Sequence, residues 1–305
     1  MTETSTRDVR AEALAREGLE VVPVTQLQLF RRRFLQHRLA MASLVILAVI
    51  FLAALNAERV APYGFGELDL RNASQPPTFE NLHFFGTDRL GRDYFSRVLH
   101  GTRTSVIVAG IVALLSTVIG TVIGAVAGYF GGWVDNLLMR LTDLVLVVPG
   151  LAALLVLVAF LGHGSPYRVA VILATLLWTL VARIVRGSFL SLREKEFVEA
   201  AKASGARDTR IIFRHILPNA LGPIIVNATL TVALAILLEA ALSFLGFGVQ
   251  PPNPALGKLI SDGRGTMLTQ WWLVTMPGLT IVVICLAINF VGDGLRDALD
   301  PQQRR

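Results

Sequence analysis

The sequence contains little charge and a single cysteine. Of its 305 residues only 16% are charged, and 53% are hydrophobic, whereas a soluble domain carries about 25% charged residues. The apolar residues form runs close to the length of about 20 residues that a helix needs to cross a bilayer. The low charge therefore excludes an ordinary soluble domain and predicts an all-α integral membrane protein. The lone Cys285 excludes an intramolecular disulfide.

The chain also lacks the short motifs that mark common catalytic and cofactor sites. It has no GxxxxGKS/T phosphate loop, no HExxH or paired-cysteine metal pattern, and no GxSxG nucleophile elbow. A membrane-embedded enzyme would need titratable groups that converge, and here the acids are scattered along loops and ends of apolar runs. We therefore expect no enzyme activity, cofactor or metal in this chain.

Positive charge marks the segments that we expect in the cytoplasm. The arginines behind the net charge of +6 cluster between apolar runs, as the positive-inside rule predicts, and do not indicate a nucleic-acid partner. About six spans, an even number, place both termini in the cytoplasm. The predicted order is a cytoplasmic N-terminal tail (1–38), a first transmembrane helix (39–58), an extracytoplasmic segment (59–103), a five-helix transmembrane core (104–293) and a cytoplasmic C-terminal tail (294–305).

Residues 86–103 have the pattern of an amphipathic helix. Thr87 or Asp88 is a candidate N-cap, and Arg89 and Asp93 have the i,i+4 spacing of an ion pair on a helix. A helix with one charged and one apolar side is suited to lie on a membrane surface. We therefore predict such a helix at the end of the extracytoplasmic segment.

Small residues recur every fourth position in the uncharged stretch 104–133. They are Ser116, Gly120, Gly124 and Gly128. Such a stripe lets the backbones of two membrane helices approach closely. It predicts tight packing, either inside the bundle of this chain or against a partner.

The stretch 197–219 is a charged interruption between two strongly apolar segments. Its periodicity predicts two short helices with a break at Gly205, a residue suited to a left-handed helix cap. Glu199 lies among small residues that would let another protein approach the backbone. Residues 183–215 hold eight Lys or Arg against four acids, which places the stretch on the cytoplasmic side.

These residues resemble the EAA loop of ATP-binding cassette (ABC) importer permeases. The residues in register with that pattern are Glu199, Ala200, Ala201, Gly205, Leu217 and Pro218, and His215 stands where the family has Ile. Segments 86–103, 241–257 and 289–301 are similar to the C-type permease subunits of dipeptide and oligopeptide importers. Leu256 departs from the Trp that is usual in that subfamily.

The resemblance implies the transmembrane domain of a type I ABC importer in a bacterial inner membrane. The partners it implies are a second permease, two ATPase subunits that bind ATP and Mg²⁺, and an extracytoplasmic substrate-binding protein that delivers peptides. The EAA loop, residues 193–218, would dock on an ATPase and couple its motion to the spans.

Two alternatives stay open at the level of the sequence. An ion-driven secondary transporter would need acidic residues near the middle of the membrane. Glu239 lies within an apolar run and is either a gate or pathway residue or a structural anchor. Permeases of the same subfamily for nickel or glutathione would share every motif named above.

Overall fold

The computed structural model describes residues 26–162 and 164–299. Within these ranges the chain forms helices joined by loops, with no β-sheet. The helices are α1 (Gln26–Gln36), α2 (Arg38–Leu55), α3 (Ala57–Val60), α4 (Tyr94–Phe130), α5 (Gly132–Val147), α6 (Gly150–Leu161), α7 (Pro166–Arg193), α8 (Glu196–Ala203), α9 (Asp208–Phe244), α10 (Leu256–Gly263) and α11 (Trp272–Leu299).

Five helices of the described chain are long and apolar enough to cross a membrane, namely α2, α4, α7, α9 and α11. The helices α5 and α6, bent by 88° at the break between them, make a sixth if the pair is one span. The bend falls at Pro149, which has no N–H to donate and disfavours helical backbone in the residue before it. The prediction of an all-α membrane protein with about six spans is confirmed. This divided pair of helices lies within the five-helix core predicted over 104–293.

The amphipathic helix predicted over 86–103 is wrong in its position. The helix α4 begins at Tyr94, where the side chain of Asp93 accepts a hydrogen bond from the backbone N–H of Ser96, and runs without a break into the span. Gly86 and Gly91 have φ angles of +75° and +72°, which an α-helix does not allow. Residues 86–93 are therefore a loop.

The side chain of Asp88, a predicted N-cap, instead forms ion pairs with two arginines. Its Oδ2 accepts from Arg92 Nε and from Arg97 Nη1, both at 2.7 Å. The predicted pair of Arg89 with Asp93 is also replaced, because Asp93 accepts from the ring Nδ1 position of buried His83 at 2.9 Å. The charges of this segment thus hold a loop together rather than one face of a helix.

The small-residue stripe lies against α7 of the same chain. A Cβ atom at Gly120 would come within 2.5 Å of Val181 Cβ, and one at Gly128 within 2.7 Å of Phe189 Cβ. Since real Cβ atoms do not approach that closely, only glycine permits this contact between helices. Ser116 continues the stripe as a fully buried residue. The stripe therefore packs inside the bundle.

The first and last spans lie side by side. The helix α2 packs along α11, and a Cβ at Gly294 would overlap Ala40 Cβ. The part of the predicted N-terminal tail that the structure describes is the helix α1, and α11 continues past residue 293 to Leu299. The remaining predicted tail residues, 1–25 and 300–305, lie outside the described residues.

Candidate functional site

The EAA loop contains a short, solvent-exposed helix between two spans. The helix α8 follows α7 after a two-residue turn and ends at Ala203. Gly205 closes it with a φ of +74°, and its N–H donates to the Lys202 carbonyl at 2.9 Å. This is the left-handed C-cap conformation that glycine adopts without strain. The structure breaks the helix at Gly205, as predicted.

Of the residues predicted to couple to an ATPase, some are exposed to solvent and the others pack against the bundle. Glu199, Ala200 and Gly205 are exposed on and beside α8. Ala201 and Leu217 are half-buried against one apolar cluster, whereas Pro218 is exposed one residue beyond. The loop thus offers an exposed surface on one side and is held to the bundle on the other.

The second short helix predicted in this loop is not separate. The chain is helical from Asp208 straight through to Phe244, with a wider π-helical turn over Ile211–Ile216. In a regular helix the ring of Pro218 would clash with the carbonyl four residues earlier. The π turn directly before it changes that hydrogen-bond pattern, so the loop can run into the span without a break.

The π turn also sets which side chains face the core. Ile211 and Ile216 are both fully buried, although residues five apart lie on different faces of an α-helix. One π turn brings them into line, and Ala220 and Ile224 then follow at regular four-residue spacing. Hence His215, which stands where the family has Ile, is left half-buried beside the face that packs.

The main apolar attachment of α8 to the rest of the protein is one buried side chain. Val198 is the one fully buried residue of this helix, at 0% exposure. It belongs to an apolar cluster at this end of the bundle, which we call the base cluster. Its buried members are Ala125, Tyr129, Val181, Val185, Phe189, Val198, Ile211, Ile216, Ala220 and Ile224.

Polar contacts to Tyr129 accompany this apolar attachment. Its hydroxyl donates to Asp208 Oδ1 at 2.6 Å, and its backbone carbonyl accepts from Arg193 Nη1 at 2.9 Å. Lys202 Nζ lies 5.9 Å from the centroid of its ring. None of the sequence motifs described above includes Tyr129. The signal was the one tyrosine in the uncharged stretch 104–133, two residues before Gly131 and Gly132.

Two arginines of α7 fix the neighbouring helix α5. Arg186 makes a bidentate pair with Asp135, with 2.6 Å between Nη2 and Oδ2. Arg183 Nη2 lies 2.6 Å from Asp143 Oδ1, and this pair is exposed. The bidentate geometry makes the Arg186 pair the better defined of the two. The base of α7 is thereby held on one side by α5 and on the other by the base cluster.

The carboxylate of Glu239 lies at 0% exposure between α4 and α9. Its two oxygens each accept one hydroxyl at 2.7 Å, from Ser105 on α4 and from Ser243 one turn along α9. Ser243 Oγ in turn accepts the backbone N–H of Val249 at 3.2 Å. These contacts join two spans and the following loop through one side chain. We therefore expect Glu239 to act as an anchor rather than a gate.

The anchor role predicts different results for two substitutions of Glu239. Glu239→Gln keeps the shape and an acceptor for one serine, whereas Glu239→Leu leaves two buried hydroxyl donors without their acceptor, each costing about 1–3 kcal/mol. We expect the leucine variant to lose several degrees of melting temperature in detergent and the glutamine variant to retain stability and transport. A gate role would be indicated if glutamine abolished transport without lowering the melting temperature.

Comparison with known families identifies the class of protein. Residues 120–305 match the family model described as the binding-protein-dependent transport system inner membrane component. Residues 25–77 match the N-terminal transmembrane domain of oligopeptide transport permease C. The chain therefore belongs to the binding-protein-dependent transport permeases, and within them to the C-type peptide permeases. The resemblance predicted from the EAA loop is confirmed.

Individual relatives agree with this assignment. The chain is 45% identical over 288 residues to the oligopeptide transport system permease protein OppC of Escherichia coli K12, covering 94% of this chain and 95% of that protein. It is 42% identical over 274 residues to OppC of Mycobacterium tuberculosis H37Rv, covering 90% and 94%. A putative peptide permease of Brucella suis is 44% identical over 272 residues, covering 88% and 89%.

A solved structure shares the fold. A chain of the MetNI methionine ABC transporter in an inward-facing conformation superposes with a TM-score of 0.51 and 18% identity, covering 67% of this chain and 96% of that chain. At this identity the likeness concerns the fold alone. The fold is that of the transmembrane domain of a type I ABC importer. The protein is thus a multi-pass permease of a peptide transport system in the inner membrane.

Proposed function

We propose that this chain is one of two permease subunits in an ATP-driven importer of di- and oligopeptides. A substrate-binding protein outside the membrane delivers the peptide, and two ATPase subunits inside bind ATP and Mg²⁺. The identity of 45% to an oligopeptide permease over 94% of the chain supports this substrate class. Among the described residues no three His, Cys, Asp or Glu side chains are grouped to hold a metal ion.

The observation that carries the proposal is that α8 is exposed on one side and attached to the base cluster through Val198 on the other. Its outer face presents Glu199 and Ala200 to solvent, and its inner face buries Val198 among residues of α4, α7 and α9. A motor that pulls on the outer face would therefore move three spans together. Such rigid-body movement between two packings is a known form of switching.

The proposed topology puts both termini and the EAA loop in the cytoplasm. The basic residues near 31–38 and 183–215 support this orientation through the positive-inside rule. The segment 59–93, which joins the first two spans, then faces the binding protein. Reaction of a cysteine introduced at Ala200 with an impermeant reagent, from inside but not from outside, is the result that we expect.

Transport measurements separate the proposed importer from its rivals. We expect cells with the gene to take up labelled dipeptides and oligopeptides, and cells without it to lose that uptake. In proteoliposomes that contain the whole complex, uptake should require ATP and survive an ionophore. Uptake driven by an ion gradient without ATP would instead indicate a secondary transporter. Competition by nickel or glutathione, but not by peptides, would reassign the substrate.

Two substitutions in the EAA loop should uncouple transport while leaving the protein in the membrane. Gly205→Pro cannot adopt the φ of +74° and removes the N–H that caps α8. Glu199→Lys reverses an exposed charge on the docking face. We expect uptake per ATP hydrolysed to fall about tenfold in each, a range typical of coupling between sites.

The control for the cap is Gly205→Asn, because asparagine tolerates left-handed backbone better than other residues with a side chain. It should retain most of the uptake. For the charge the control is Glu199→Gln, which keeps the size. Normal ATP-driven uptake by both Gly205→Pro and Glu199→Lys would contradict the proposed coupling role of the loop.

A further inference from the structure

Three successive parts of the EAA loop converge on one residue of α4. Arg193 is the last residue of α7, Lys202 lies on α8, and Asp208 is the first residue of α9. Each of them contacts Tyr129, through its backbone carbonyl, its ring face and its hydroxyl respectively. The beginning, middle and end of the loop are therefore attached to the same point.

Tyr129 is well placed to transmit a displacement. Its side chain is 6% exposed, and it lies one residue before the end of α4. That helix is 37 residues long, and from Tyr129 it runs back past the glycine contacts with α7 to Ser105, which donates to Glu239 on α9. A movement of Tyr129 along the helix axis would therefore reach both neighbouring spans.

The polar contacts of Tyr129 add a directional constraint to the apolar contacts of the base cluster. Apolar attraction depends on buried area and has no direction, whereas a hydrogen bond weakens steeply when its angle or length changes. In residues 26–162 and 164–299, the hydrogen bonds between loop residues 193–210 and α4 are the two made by Tyr129. Tyr129 therefore supplies the directional contacts between the loop and α4, in addition to the packing of α4 against α7.

We propose that Tyr129 is the positioning residue through which movement of the EAA loop is passed to α4. The bond between its hydroxyl and Asp208 sets the register, and the Arg193 bond to its carbonyl holds the helix end. The inference rests on the proposed coupling function of the loop. It adds to that function a defined polar contact between the loop and α4, a helix outside the loop.

Three substitutions isolate this hydrogen bond. Tyr129→Phe removes the donor but keeps the ring in the base cluster and the carbonyl for Arg193. Asp208→Ala removes the acceptor, whereas Asp208→Asn keeps an oxygen that can accept. Thr142→Val is the matched control, because it removes a buried hydroxyl that makes one hydrogen bond of 2.9 Å, to the Leu138 carbonyl within α5.

The experiment measures peptide transported per ATP hydrolysed, together with basal ATPase activity and melting temperature, in the reconstituted complex. We expect Tyr129→Phe and Asp208→Ala each to lower the ratio about three- to tenfold, as loss of one hydrogen bond would. Basal ATPase activity should persist in both variants. The double variant should lose no more than either single one, and Asp208→Asn and Thr142→Val should keep the ratio.

An unchanged ratio in Tyr129→Phe would overturn the inference. If the melting temperature of that variant fell while its ratio stayed unchanged, Tyr129 would have a role in stability alone. Failure of the unsubstituted complex to transport peptides with ATP would be a different result, because it would contradict the proposed function before Tyr129 is tested.

Discussion

Gly124→Leu is expected to remove nearly all folded protein from detergent extracts of the membrane. A Cβ at this position would overlap the Ala182 carbonyl oxygen and lie 2.8 Å from Val185 Cβ. Both neighbours belong to α7, so neither can rotate away. Adding a methylene to a packed interior costs about 1–3 kcal/mol, and leucine adds four carbons where the first already collides. The helices α4 and α7 must then separate along the whole contact.

The same helix provides a control for this effect. Gly110 also lies within α4, and a Cβ there would meet no atom within 4 Å. Replacing glycine by leucine gains about 1 kcal/mol of helix propensity at either position. The difference between Gly110→Leu and Gly124→Leu therefore isolates the contact with α7. Equal yields of monodisperse protein and equal melting temperatures for the two variants would contradict the packing described here.

The glycine stripe also illustrates how far the sequence could predict the fold. A small residue at every fourth position is a local pattern and predicted a close helix contact. The identity of the partner helix depends on residues 178–189, about 60 positions away, and no local pattern links the two segments. The sequence therefore left open whether the stripe served this chain or another subunit, and tertiary structure was needed to choose.

The start of α4 was mispredicted because local charges and long-range contacts disagree. The i,i+4 spacing of Arg89 and Asp93 favours a helix, but such pairs contribute only about 0.2–0.5 kcal/mol. Gly91 instead packs with its positive φ directly on the backbone carbonyl of Asp69, where a Cβ would overlap. That contact lies outside any local window. Residues 86–93 form a loop because Gly86 and Gly91 adopt positive φ angles that an α-helix does not allow.

In the EAA loop the sequence predicted the exposed surface better than its attachment. Glu199, Ala200 and Gly205 were recognised from a spaced motif, and the structure exposes all three. Tyr129 and Asp208 are 79 residues apart and belong to no shared motif. The π turn could not be predicted from the sequence either. Its sequence, IIFRHI, is compatible with an ordinary α-helix, and the wider turn is defined by backbone hydrogen bonding.

Val198→Asp should abolish ATP-driven uptake while the protein stays in the membrane at its normal level. Aspartate is favourable near a helix N-terminus, so the substitution does not weaken α8 through its own preference. Its carboxylate would instead be buried in the base cluster, where an unpaired charge costs several kcal/mol. Release from the cluster avoids that cost, and an isolated helix of eight residues is not stable in water. We therefore expect α8 to unfold.

Hydrogen exchange distinguishes this local unfolding from a general loss of structure. The amides of α8 should exchange rapidly in Val198→Asp, whereas those of α4 and α7 keep their protection, because the spans do not need α8 to pack. Val198→Ile keeps an apolar side chain and should retain both protection and uptake. Since Glu199 and Ala200 would still be present in the aspartate variant, its loss of uptake would mean that the motif works only when one buried valine holds it as a helix. Uptake at the normal rate with α8 unprotected would contradict that dependence.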